Sequence, residues 1–202
     1  MNKKYEFTDE TKTIEGHVLH RIRRLSDGEL GGFIEKEDNL SQEGNCWVGD
    51  DAFVYDNAEV SGNAWVFDDA KVYGDVKISD RAIVEGCAEI FDKAKVYGHS
   101  RVYDNAKVYG NAKVCDNAEV YGNAEVFGTA NVYDRAEIYN YAQVYGNAYI
   151  SNEAQIYGHA QIYDQAIIGC EAQVCGNVKI SGNMEIADDL TYCNNAEIYG
   201  ND

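Results

Sequence analysis

The chain has 202 residues, enough for one domain with a sizeable core, and 17 Lys and Arg against 35 Asp and Glu leave a net charge of −18. Such acidity argues against direct contact with nucleic acid or an anionic membrane and favours solubility. No apolar run approaches the length of a transmembrane span, and there is no Pro anywhere in the chain.

The first segment, residues 1–45, stands apart. Met1 to Phe7 is polar and charged and lacks the apolar core of a signal peptide, so a cytoplasmic protein is expected. Tyr5-Glu6-Phe7 and the stretch from His17 to Arg23 alternate as short strands do, and Gly28 to Phe33 reads as a Gly-rich turn. These pieces are expected to form an N-terminal β cap over the first coil of the repeat region that begins at residue 46. Lys12, His17, His20, Arg21, Arg23 and Arg24 make a basic cluster in an acidic chain. It could be neutralised by neighbouring carboxylates, or it could receive an anionic ligand or partner.

From residue 46 to 202 a single repeat takes over. A small residue recurs every six positions from Ala52 to Ala196, replaced by Val76, Val178, Met184 and Leu190, and is followed two places later by an aliphatic residue from Val54 to Ile198, with Tyr192 the misfit in that second series. That is 25 hexads without an insertion or deletion. Within each hexad the first four positions alternate inward and outward, and the last two are turn residues, mostly Gly, Asp and Asn. Each hexad is therefore one short strand and one corner, and the whole is a solenoid.

The outward position after the aliphatic decides how many hexads close a coil. Stacked in threes, one face reads Tyr55, Tyr73, Phe91, Tyr109, Phe127, Tyr145, Tyr163, Ser181, Tyr199; aromatics then number eight of nine on it, five of eight on the second face and two of eight on the third. Stacked in twos they divide almost evenly, eight of thirteen against seven of twelve. On the first face Lys71, Glu89, Lys107 and Glu125 alternate in sign, as favourable neighbours across strands should. A three-sided prism of 18-residue coils is predicted. The corner residue alternates Asp56, Gly62, Asp68, Gly74 and so on to Gly122, which in threes keeps Asp from stacking on Asp; a duplicated twelve-residue unit would give the same alternation. The chain is still in phase at Ile198-Tyr199-Gly200-Asn201-Asp202, so the last coil is expected to leave strand edges open to another chain, unless Asp188, Asp189, Asn194, Asn195 and Asp202 keep that end soluble.

Leu19-His20-Arg21-Ile22, Gly28 to Glu35 and Asn39 to Val48 resemble the N-terminal signature of the YdcK-like proteins, and the hexads resemble the wider hexapeptide-repeat superfamily. The resemblance implies an all-β, single-stranded left-handed β-helix with an N-terminal β cap. It also implies a possible kinship with trimeric acyltransferases and with arrays found in phage and prophage genes.

Little in the residues supports acyl transfer. Of the four His, only His99 and His159 lie in the hexads, at corner positions ten hexads apart, and neither has a carboxylate stacked on it to orient a base. They are the catalytic candidates. The six Cys contain no CxxC pair, and no metal or cofactor is predicted. Cys175 and Cys193 are 18 apart and would stack; a reduced pair is expected in a reducing compartment. The binding candidates are the ladder residues Tyr73, Phe91, Tyr109, Phe127, Tyr145 and Tyr163, since exposed aromatic rows mark interfaces as well as stabilising a sheet. The favoured reading is a non-catalytic acidic binding or scaffold protein, phage-derived and directed at a host protein, with mimicry of DNA as one form of that. An acyltransferase and a self-assembling structural protein are the alternatives. Homo-oligomers are expected, as lateral trimers or end-to-end dimers, with a protein partner and without direct contact to nucleic acid or membrane.

Overall fold

The computed structural model describes residues 3–200; Met1, Asn2, Asn201 and Asp202 lie outside them. From residue 53 onward each hexad contributes a two- or three-residue strand, and strands 18 residues apart pair in parallel. Glu89 lies against Lys71 on one side and Lys107 on the other, and Ile90 against Val72 and Val108. Three sheets result, of twelve, nine and eight strands. They are the three faces of the predicted prism, here called first (through Lys71), second (through Trp65) and third (through Lys77).

Burial follows the hexad. The small residue and the aliphatic residue both point inward, and Ala52 to Val178 at these positions are at most 1% exposed. Ala is needed where two sheets meet at a corner and the space narrows. Val and Ile fill the middle of each face, and their branched side chains suit a strand. The small residue also closes the corner before it: Ala58 N–H donates to the Tyr55 carbonyl at 3.3 Å. Ser100 replaces Ala without an orphaned hydroxyl, because its Oγ donates to the Tyr97 carbonyl at 2.8 Å.

The corners show why Asp and Gly alternate. Asp56, Asp68, Asp80, Asp92 and Asp104 all adopt left-handed backbone, with φ between 56° and 60°. Each carboxylate accepts the backbone N–H of the corner residue one coil on: Gly74 from Asp56 at 3.2 Å, Gly110 from Asp92 at 3.1 Å, Gly122 from Asp104 at 3.1 Å. Glycine adopts this left-handed backbone freely, and a Cβ at Gly74 would lie 2.7 Å from the Asp92 carbonyl oxygen. Neither glycine nor separation of like charges is obligatory at a corner. Asp68 stacks on Asp50 and Asp134 on Asp116, each with the same N–H to carboxylate contact at 3.4 Å.

The N-terminal segment extends the first face. β1 (Tyr5–Ile14) and β2 (His17–Arg24) form an antiparallel hairpin turning at Glu15 and Gly16, and β2 pairs with β3 (Leu30–Ile34). β3 then runs parallel to Phe53–Val54, setting Phe33 against Phe53. The glycines read as a turn are partly strand. Gly31 and Gly32 lie inside β3, where a Cβ would come within 2.5 Å of the Val48 carbonyl and 2.6 Å of the Ala52 carbonyl. They are small because backbone passes over backbone at the mouth of the prism. Tyr5 plugs that mouth: it is 1% exposed and its hydroxyl donates to the Leu40 carbonyl at 2.9 Å. Buried Asn39 ties the segment to the first corner, donating from Nδ2 to the carbonyls of Asp56 and Ala58 at 3.1 and 2.8 Å.

If the corner carboxylate acts as an acceptor, Asp104→Ala should cost about 1–2 kcal/mol, losing a hydrogen bond and forcing alanine into left-handed backbone. Asp104→Asn keeps both features and should cost about 0.5 kcal/mol or less. Denaturant unfolding distinguishes the two causes: charge crowding would make both variants more stable than the parent.

Candidate functional site

The aromatic residues of the first face form one continuous stack. Centroid distances run 5.0 Å for Tyr55–Tyr73, 5.3 Å for Tyr73–Phe91, 4.7 Å for Phe91–Tyr109, 4.8 Å for Tyr109–Phe127 and for Phe127–Tyr145, and 5.0 Å for Tyr145–Tyr163. Neighbouring planes lie within 7° of parallel. This geometry is imposed by the backbone, which repeats each side chain at the strand spacing of about 4.8 Å. Each ring covers its neighbour, so the stack offers edges and hydroxyls outward. Burial, then the Glu125 carboxylate beside it, pushes the Tyr109 hydroxyl up to about 12. A second stack, Tyr103–Tyr121–Tyr139–Tyr157, occupies the second face, with centroids 4.8 to 4.9 Å apart. There Tyr103 and Tyr121 donate to Glu119 and Glu137 at 3.0 and 3.1 Å.

The basic cluster is threaded with carboxylates and rings. Lys12 pairs with Asp51 at 3.0 Å and lies 4.3 Å over the Phe33 ring. Arg21 reaches Glu10 at 3.2 Å, and Arg23 pairs with Glu6. Arg24 reaches Glu29 at 2.8 Å and covers the Trp47 ring at 4.4 Å. The His20 ring packs against Phe7 with centroids 5.2 Å apart. Lys12–Asp51 and Arg24–Trp47 hold the hairpin onto the prism, and the other contacts tie the N-terminal strands to one another.

His17 sits between two carboxylates, with Nδ1 2.9 Å from Glu35 and Nε2 3.4 Å from Asp56. Glu35 also accepts the Asp56 N–H at 2.7 Å. Potential ligand atoms of the three residues all lie within 4.8 Å of one another. Both ring nitrogens already face an acid, which suits an ion-paired joint between hairpin and prism. The Glu35 hydrogen bond raises the His17 pKa above its ordinary 6.5, and the same bond lowers Glu35 below 4.5.

His99 and His159 are not brought together. His99 stands on the corner after the third face with Arg81 Nη1 3.3 Å from its Nε2. His159 stands on the corner after the second face, its ring stacked on Tyr141 at 5.0 Å. Hollows along the corners are open furrows; one of about 490 Å³ runs past Asp56, Asp75, Asp92 and Lys93. Such a furrow can hydrogen-bond a partner's backbone but does not enclose a small molecule.

Cys175 and Cys193 stack on neighbouring coils of the second face, as the 18-residue spacing predicts. Equivalent outward positions one coil apart bring their Cα atoms to 4.6 Å, within bridging range.

One feature of the third face went unread in the sequence. Lys77, Lys95 and Lys113 stack directly on one another, a column of like charge in a strongly acidic chain. Reading the first outward position at an 18-residue period on this face would have found it. Among the described residues no helix is long and apolar enough to cross a membrane. Neither a family model nor the sequence of a characterised protein matches the chain.

The His17 joint predicts a pH dependence. Its His contribution is present below pH 6.5 and is lost as pH rises through the raised folded value. Its Glu35 contribution is present above pH 4.5 and is lost as pH falls through the depressed folded value. Hydrogen-exchange protection factors of β1 and β2, taken against the intrinsic rate at each pH, should therefore be highest between those limits and fall above neutrality. His17→Gln should remove the alkaline limb; an unchanged profile would mean the joint carries no load.

Proposed function

We propose that the protein is a non-catalytic binding or scaffold protein of the cytoplasm that presents rigid, acidic, periodic surfaces to a protein partner. The observation that carries the reading is the unbroken stack from Tyr73 to Tyr163, a straight row of ring edges and hydroxyls on a backbone-locked spacing. Aromatic side chains of this kind give large contact area at little entropic cost, and Tyr is enriched at interfaces. Tyr73, Phe91, Tyr109, Phe127, Tyr145 and Tyr163 are the contact residues in this reading. The acidity of the prism, −15 for residues 46–202 (ten Lys and Arg against twenty-five Asp and Glu), favours a basic partner surface and speeds encounter with it.

The separate placement of His99 and His159 supports binding over acyl transfer, because neither is oriented by a carboxylate. Within this proposal the chain is a left-handed, YdcK-like β-helix, on the strength of residues 19–48. A phage origin would set its target among host proteins, and the surrounding genes would reveal it.

Two measurements test the proposal together. Co-purification with a partner from host cells should be lost in Phe127→Glu while far-UV circular dichroism is kept. Thiol release from a panel of acyl-coenzyme A donors should stay at background. Release that disappears in His99→Ala or His159→Ala would overturn the reading in favour of acyl transfer.

A further inference from the structure

The third face differs from the other two in shape. Its second outward column is Ser61, Ser79, Tyr97, Cys115, Tyr133, Ser151, Gly169 and Ala187, mostly small where the other faces raise aromatic stacks. The face is low at Ser61, Ser79, Ser151, Gly169 and Ala187 and raised at Tyr97 and Tyr133, with the first outward column running beside them. That column runs Lys77, Lys95, Lys113, Asn131, Tyr149, Ile167, Glu185, each in register with the next.

Charge is sorted along this face. In the three coils before Asn131, Lys77, Arg81, Lys95 and Lys113 outnumber Asp80 and Asp116. In the three coils after it the charges are all acidic: Glu153, Glu171, Glu185, Asp188 and Asp189. Lys95 and Lys113 have no carboxylate within 4.0 Å among the described residues, and within the column only Lys77 is compensated, by Glu59 at 3.4 Å. Between the two halves Tyr149 and Ile167 are 44% and 41% exposed.

From this sorting we infer that the third face docks on the third face of a second copy of the chain, antiparallel, about a twofold axis level with Asn131. An axis along the strands reverses the order of coils and keeps each column over itself. Lys77 then faces Glu185, Arg81 faces Asp189 and His99 faces Glu171. Lys113 comes over the Tyr149 ring, and the Lys95 stem lies along Ile167 with its ammonium toward Glu171. Every contact occurs twice, as an isologous interface requires. A parallel arrangement would instead hold the basic halves together. The face is about 30 Å long by 16 Å wide at strand and residue spacings, so the pair buries roughly 1,000 Å². That is the lower limit for a specific interface, and it makes a weak, salt-sensitive dimer.

Sedimentation velocity on the full chain tests this. The wild type should dimerise at low salt, with a Kd at least about tenfold weaker at high salt. The triple variants K77E/R81E/K95E and E171K/E185K/D189K should each be monomeric alone and dimerise when mixed. As a check on folding, Lys77→Glu with Glu185→Lys in one chain should keep the dimer that either change alone weakens. A wild-type monomer at low salt, an oligomer surviving both triples, or a monomeric mixture would each overturn the inference. So would an oligomer broken by Phe127→Glu and untouched by the triples, which would place the contact on the aromatic face.

Discussion

The ladder of hydrogen bonds between successive coils is the constraint on which every surface of this protein depends. Lys71 N–H reaches the Ala88 carbonyl, Tyr73 the Ile90 carbonyl and Asp75 the Asp92 carbonyl, and the same offset recurs along the prism. Because the offset does not change, whatever a coil carries outward is laid directly over what the previous coil carries. Rings meet rings, amides meet amides, as Gln161 meets Gln143 at 3.0 Å, and lysines meet lysines. Favourable and unfavourable columns arise from the same geometry. The complete lack of Pro fits it: a Pro within a hexad would remove a ladder donor or clash at a strand.

Within that frame the interior asks little of the sequence. Two inward positions per hexad, one small and one branched, fill a narrow prism with side chains that have few rotamers to lose. Stability is spread along the axis as a sum of similar neighbour contacts, as in other solenoids. The outer positions are free of that duty, and their departures from uniformity are where function can be sought. Both columns singled out for binding, the aromatic one and the Lys-to-Glu one, are departures of this kind.

The hexad and the 18-residue coil were legible because period and residue type point the same way at every level. The Ala and Val series gave the inward positions, and the sorting of Tyr and Phe gave the third dimension. The corners were legible in pattern but misattributed in cause: Asp56 and its equivalents are acceptors for an N–H one coil away, a long-range contact that local reading assigns to charge spacing. Gly31 and Gly32 misled for a similar reason, since a glycine demanded by a close backbone approach looks in sequence like one demanded by a turn. The proximity of Cys175 and Cys193 was legible because residues 18 apart fall on one column. The Lys77 column was present in the sequence and was missed because only the first face was read at its first outward position.

The 18-residue register is tested most directly by energetic coupling between residues it stacks. A double-mutant cycle on Tyr121→Leu and Tyr139→Leu, followed by denaturant unfolding, should return a coupling of about 0.5–1.5 kcal/mol for the stacked rings. The same cycle on Tyr121→Leu and Tyr133→Leu, twelve residues apart and on different faces, should return none within error. Additive behaviour at the 18-residue pair, or coupling at the twelve-residue pair, would contradict the three-sided coil and every column built on it.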